Sequence, residues 1–181
     1  GSARARLRVY LGKNFFRYRY DYREEWLKFT AVLYAQNTPQ DMGHRVIRGL
    51  ADLVESPGGG LWMKRPGASA YQQTTRLNFG PQLDAENANS ALCEFLAREG
   101  RVINLEEYRS SPGSYRSLSL PTWLQSAPQA WLIVPLLVGS DLIGFVVLVS
   151  ARTRVDANWE VYDLLNTASR QAASFLAQMI A

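Results

Sequence analysis

Cysteine and histidine are almost absent from this 181-residue chain, with one of each, Cys93 and His44. One cysteine closes no internal disulfide, and the two residues together fall short of a structural zinc site, so no metal is expected. They are also poor material for a Ser-His or Cys-His nucleophile. A reducing compartment fits best. Glycine and proline stand at ordinary levels, and 47% of residues are hydrophobic. That excludes a disordered, collagen-like or disulfide-built chain. The length suits one domain with a real core. No signal peptide is visible, and Gly1-Ser2 has the look of a cloning remnant. The chain opens abruptly in an Arg-rich stretch, as an excised piece of a longer protein would.

The net charge is +4, unevenly spread. Residues 1–23 hold seven basic side chains against Asp21, a charge of +6, and the other 13 basic and 15 acidic residues give −2. The basic character thus belongs to the head. Residues 131–149 form a long apolar run, but Gly139-Ser140-Asp141 interrupts it and Pro135 would break a helical ladder. A central Asp costs a spanning helix about 2.5–3.5 kcal/mol. Two β-rich runs joined by Gly-Ser predict a hairpin instead.

Helical spacing of Trp26, Phe29, Thr30 and Leu33 predicts a helix over 22–34. Thr38-Pro39-Gln40-Asp41 is a helix start, with a capping residue, a first-position proline and an acid at the positive end. That helix carries Met42, Val46, Leu50 and Leu53 and ends near Ser56-Pro57. Gly58-Gly59-Gly60 is expected to break the chain before a strand at 61–65; it lacks the Lys-Ser/Thr of a phosphate loop. A second strand, 71–79, has one polar face. A helix at 88–99 and a strand at 101–105 follow, then a long loop over 106–128. Such loops serve as lids or binding segments. The 131–149 hairpin is apolar on both faces, so both must be covered.

In the last helix, 157–181, the residues Val161, Leu165, Ala168, Ala172, Phe175 and Met179 step by 4, 3, 4, 3, 4. That is a heptad seam, expected to pair two copies into a homodimer; the alternative is a wide core-facing stripe on a monomer. A second stripe, from Tyr162 to Ile180, would pack on the sheet.

The run Trp131-Leu-Ile-Val-Pro135-Leu, the turn, the Ile143-Gly144 strand and the helix Asp163-Leu-Leu…Arg-Gln-Ala172-Ala together resemble a GAF domain. The resemblance covers 26–181, leaving 1–25 as a basic juxtamembrane-type linker. It implies an α+β, PAS-related fold: an antiparallel sheet with N- and C-terminal helices on one face, and loops plus a short helix on the other. Residues 15–30, Phe-Phe-Arg-Tyr-Arg-Tyr-Asp-Tyr-Arg-Glu-Glu-Trp-Leu-Lys-Phe-Thr, are similar to the segment preceding the GAF domain in membrane sensor histidine kinases of PEP-CTERM and exopolysaccharide systems, the PrsK type. This implies a cytoplasmic domain of an inner-membrane protein, with a kinase core in cis and a cognate response regulator. Any kinase activity would lie in other parts of that chain, so this domain is expected to be non-catalytic. A basic head fits the cytoplasmic side of a membrane.

Candidate chemistry is sparse. Some GAF relatives attach a bilin through cysteine, but Cys93 is followed by Glu94 on an amphipathic helix and reads as a buried thiol. The several cysteines of GAF-type sulfoxide reductases and the Asn-Lys…Phe…Asp-Glu pattern of cyclic-nucleotide GAF domains are not found. No cofactor is expected. His44, between Gly43 and Arg45, reads as a helix-surface residue. The head is too short for a nucleic-acid-binding fold, so no nucleic-acid partner is expected. Trp62, Phe79, Tyr115, Trp123 and Trp131 are candidates to line a small-molecule pocket, and each fits a core position equally well; Arg109 and Arg116 could meet an anionic ligand, though loop arginines are usually solvated.

Overall fold

The computed structural model describes residues 23–35, 42–116, 118–153 and 158–180, with side chains to 178. Helix α1 covers 23–33 and crosses the expected 25/26 boundary. Helix α2 (Met42–Leu53) follows; its expected capping start at 38–41 and the basic head lie outside the described residues. Six strands form one sheet: β1 (Gly59–Met63), β2 (Ala70–Leu77), β3 (Glu86–Asn87), β4 (Ile103–Asn104), β5 (Ala130–Val138) and β6 (Asp141–Val149). Their spatial order is β3-β2-β1-β6-β5-β4, and every pairing is antiparallel. The last helix, α6, is Trp159–Ile180. No helix among the described residues is long and apolar enough to cross a membrane.

The apolar run is the β5–β6 hairpin. Its two-residue turn has Gly139 at φ 61° with Ser140 outside the left-handed region, the pattern of a II′ turn. Pro135 is tolerated because β4 pairs only with Leu132 and Ile133, leaving β5 an edge farther along. Both faces are covered, as the composition of the strands requires. On one face Leu132, Val134, Leu136, Val146 and Leu148 pack under α1, α2 and α6. On the other, Ile133, Phe145, Val147 and Val149 pack under the segment 90–127.

Close backbone approach explains the glycines. A Cβ on Gly59 would stand 2.1 Å from the Val147 carbonyl oxygen, and one on Gly58 2.0 Å from that of Leu77. The glycine run is therefore not a breaker before the strand: Gly59 and Gly60 are its first two residues. In α2, Phe29 of α1 lies on Gly49, where a Cβ would meet its ring at 2.8 Å. Arg45 Nη1 donates to the Leu33 carbonyl at the end of α1, 3.4 Å away. A cation suits the negative end of a helix.

The heptad residues of α6 face inward. Val161, Leu165, Ala168, Ala172 and Phe175 are all buried in the helix-side core of a single chain. This corrects their assignment to a seam between copies. A stripe that covers a sheet carries the same spacing as a coiled-coil seam, because both follow one helix face. The Met179 side chain lies outside those described.

Candidate functional site

The expected long loop is mostly short helices. It contains α4 (Leu105–Ser110), a 3-10 turn (Pro112–Tyr115) and α5 (Thr122–Gln125). Together with α3 (Ala91–Glu99) these form a lid over the sheet. Helix α3 is fixed at both ends: Ser90 accepts from the Cys93 amide, and Gly100 closes it at φ 60°.

Four of the five expected pocket aromatics lie in this lid-side core: Trp62, Phe79, Tyr115 and Trp123. Trp131 does not. The register shift between Ala130 and Leu132 puts Trp131 on the helix side with Leu132, which corrects its place in the pocket. Trp62 of β1 lies opposite Phe145 of β6, and their rings stack at 5.4 Å and 9°. Trp123 covers Trp62 at 4.8 Å and 19°, and Phe79 meets it edge-on at 5.9 Å. Phe145 and Glu86 take part although sequence reasoning missed both. Glu86 is buried on the two-residue strand β3, and its Oε1 accepts from Trp123 Nε1 at 3.0 Å. The Trp62 indole is fully buried, and its Nε1 has no hydrogen-bond partner among the described residues. Arg109 and Arg116 are exposed, away from this stack.

Tyr115 takes part elsewhere. The Arg101 guanidinium lies over its ring at 4.6 Å and over Phe95 at 5.5 Å, and Nη2 donates to the Ser114 carbonyl. The Tyr115 hydroxyl accepts from the Asn104 amide at 3.0 Å. Asn104 then reaches three ways. Its Oδ1 caps α4 by accepting from the amides of Glu106 and Glu107, and its Nδ2 donates to the Tyr162 hydroxyl on α6 at 3.0 Å. One side chain at the sheet edge thus joins the lid to the last helix. Asn104→Ala removes a helix cap and a side-chain hydrogen bond, and is expected to cost about 1–2 kcal/mol by urea denaturation.

Burial sets the titration of the lid core. It pushes the Cys93 thiol up to about 11 and the Tyr71 hydroxyl up to about 12. Tyr71 also donates to the Leu142 carbonyl at 2.6 Å. Both groups stay protonated in the fold. Above pH 9, the ordinary thiol value, the unfolded chain loses the Cys93 proton while the fold keeps it. Stability should therefore fall from pH 9 to about 11, with Tyr71 adding to the fall from 10 to about 12. Each group contributes at most about 1.4 kcal/mol per pH unit. Urea midpoints measured between pH 8 and 10.5 check this. Below pH 9 the thiol is neutral and buried, and should resist aromatic disulfide reagents until the chain unfolds.

Among the described residues no cluster of three His, Cys, Asp or Glu side chains is placed to hold a metal. Two open clefts, of about 730 and 810 Å³, lie outside the lid, and none of the five aromatics lines either.

The family model described as GAF domain matches residues 38–180. The chain belongs to the GAF family. Solved structures share the fold. The GAF domain of a phosphoenolpyruvate-protein phosphotransferase from Coxiella burnetii is 13% identical, with a TM-score of 0.67 over 87% of this chain and 94% of that one. The corresponding Acinetobacter domain is 14% identical, with a TM-score of 0.63 over 86% and 92%. Residues 122 to 287 of a methyl-accepting chemotaxis protein are 14% identical, with a TM-score of 0.61 over 83% and 96%. No curated protein sequence matches the chain significantly. In this GAF domain the lid is closed on an aromatic stack, and Asn104 ties that lid to α6.

Proposed function

We propose that this GAF domain is the regulatory sensory module of a two-component sensor histidine kinase of the exopolysaccharide and PEP-CTERM type. The domain itself carries no catalysis. It sits on the cytoplasmic side of an inner membrane and relays a ligand or conformational signal to a dimeric kinase core in the same chain, which addresses a response regulator. The observation that carries the reading is Asn104, whose backbone amide donates to the Tyr115 hydroxyl of the lid and whose side-chain Nδ2 donates to the Tyr162 hydroxyl of α6. Input at the lid is thereby linked to α6, the last helix. The aromatic-basic segment 15–30 supports the kinase type, and the similar structures from a chemotaxis protein and a bacteriophytochrome support the sensory role.

The first and last described helices meet: Tyr34, just after α1, packs edge-on against Phe175 of α6 at 5.6 Å, and Gln171 Nε2 donates to the Tyr34 hydroxyl. Among the described residues an exposed stripe follows α1 and the residue just past its end. Leu27 is 65% exposed, Tyr34 is 52% exposed, and exposed Ala31 lies between them. We assign the homodimer contact to this stripe in place of the buried α6 residues. The filled lid core also favours a second reading, a ligand-free dimerisation module.

Two measurements test the proposal. The full-length gene product should form acid-labile, base-stable phosphohistidine from labelled ATP; none would contradict the kinase reading. Native mass spectrometry should show dimer rising with concentration and lost in Leu27→Glu. A monomer at every concentration would remove the α1 contact.

A further inference from the structure

We infer that Trp123 is a displaceable internal plug, and that the lid-side core takes a planar N–H heteroaromatic of about indole size in its place. This rests on the sensory reading above and adds the occupant of the lid and the class of its ligand.

Three observations converge on it. The Trp123 indole makes the two contacts a bound heteroaromatic would make: it stacks on Trp62 at 4.8 Å and donates its N–H to the buried Glu86 carboxylate at 3.0 Å. The platform beneath is preformed by β1 and β6, because Trp62 and Phe145 are register partners whose rings are already parallel. It also holds a spare donor, since Trp62 Nε1 is buried without a partner among the described residues. A buried unpaired donor is costly, and a heteroaromatic carrying a ring acceptor beside its N–H would satisfy it; indole, the minimal probe, tests the N–H and the stacking alone. Finally, Trp123 is the least buried ring of the stack. It is half-buried, on a four-residue helix whose N-cap, Pro121, supplies no side-chain hydrogen bond. Elements with few buried contacts open at low cost. Leu124 beside it is fully buried, so α5 can stay anchored while the indole turns out.

The plug and the ligand compete for one place, which sets the test. Indole is titrated into the purified chain, with 1-methylindole as a probe of similar shape that lacks the N–H. In protein carrying 5-fluorotryptophan, the Trp123 fluorine resonance should move to its solvent-exposed position as indole binds. Trp123→Ala should bind indole at least roughly tenfold tighter than the unsubstituted chain. It should prefer indole over 1-methylindole by roughly tenfold, the value of a hydrogen bond to a buried carboxylate. If Trp123→Ala does not fold, Trp123→Phe keeps a stacked ring and loses the bond to Glu86. It should then bind indole severalfold tighter than the unsubstituted chain. Equal affinities for the two probes would show an apolar cavity only and overturn the proposal. So would indole binding that leaves the Trp123 resonance unmoved, or no binding by the unsubstituted chain at millimolar indole. These results involve no kinase step, so the plug can fail while the phosphohistidine result stands.

Discussion

Alanine at Gly59 is expected to cost about 3 kcal/mol or more, one of the largest losses for so small a change. The added methyl would sit 2.1 Å from the Val147 carbonyl oxygen and 3.1 Å from its carbon. That obstacle is backbone, not the end of a flexible side chain. Real contacts of this kind rarely fall below 3.0 Å, so β1 and β6 must separate by about an ångström. The β1–β6 pairing is the middle of the six-stranded order, with Gly59 opposite Leu148 and Trp62 opposite Phe145. Prising it apart would disturb both cores. Gly113→Ala is the control: nothing stands within 4 Å of its Cβ position, and φ lies outside the left-handed region. It should stay within about 0.5 kcal/mol of the unsubstituted chain. Urea denaturation of both variants, with the slope unchanged, makes the comparison. Equal losses would mean that β1 does not approach β6 as described.

Trp62→Ala carries the second large expectation, a loss of about 3–5 kcal/mol. It removes the middle ring of the Phe145–Trp62–Trp123 stack and the surface that Phe79 meets edge-on. Trp62→Phe separates packing from polarity. It keeps an aromatic face between the two neighbours and deletes the Nε1 donor that has no partner among the described residues. Burying such a donor costs about 1–3 kcal/mol, so deleting it should offset much of the lost volume. The phenylalanine variant should lose less than half of what the alanine variant loses. A phenylalanine variant as damaged as the alanine one would show that the indole N–H is bonded.

These residues also show what was legible in the sequence. The hairpin, α3 and α6 could be read directly, the helices from their apolar spacing and the hairpin from its turn residues. The sheet edges were legible only in part. Strand β4 lies within the strand expected at 101–105, but β3 has two residues, too few for any period to register. Yet these two strands carry Glu86 and Asn104, the polar residues that organise the lid. The segment 106–128 reads as loop because its helices are single turns or little more, fixed by Asn104 and by buried Leu105, Tyr115 and Leu124. Its aromatic content was the useful signal: Tyr115 and Trp123 are both built into the lid. Trp131 went astray because a bulge flips one residue between faces and has no mark in the sequence. The α6 heptads were real, but the pattern cannot say whether sheet or partner covers them.

The central claim is that the lid and α6 move as one unit through Asn104, and amide hydrogen exchange on Tyr162→Phe tests it most directly. The substitution deletes a single hydroxyl on the helix, the acceptor for Asn104 Nδ2. The amides of Glu106 and Glu107 lie on the lid and depend on the same side chain through Oδ1. The account predicts faster exchange at these two amides and across 105–116, as well as in the first turns of α6. Faster exchange confined to α6, with the lid unchanged, would contradict it.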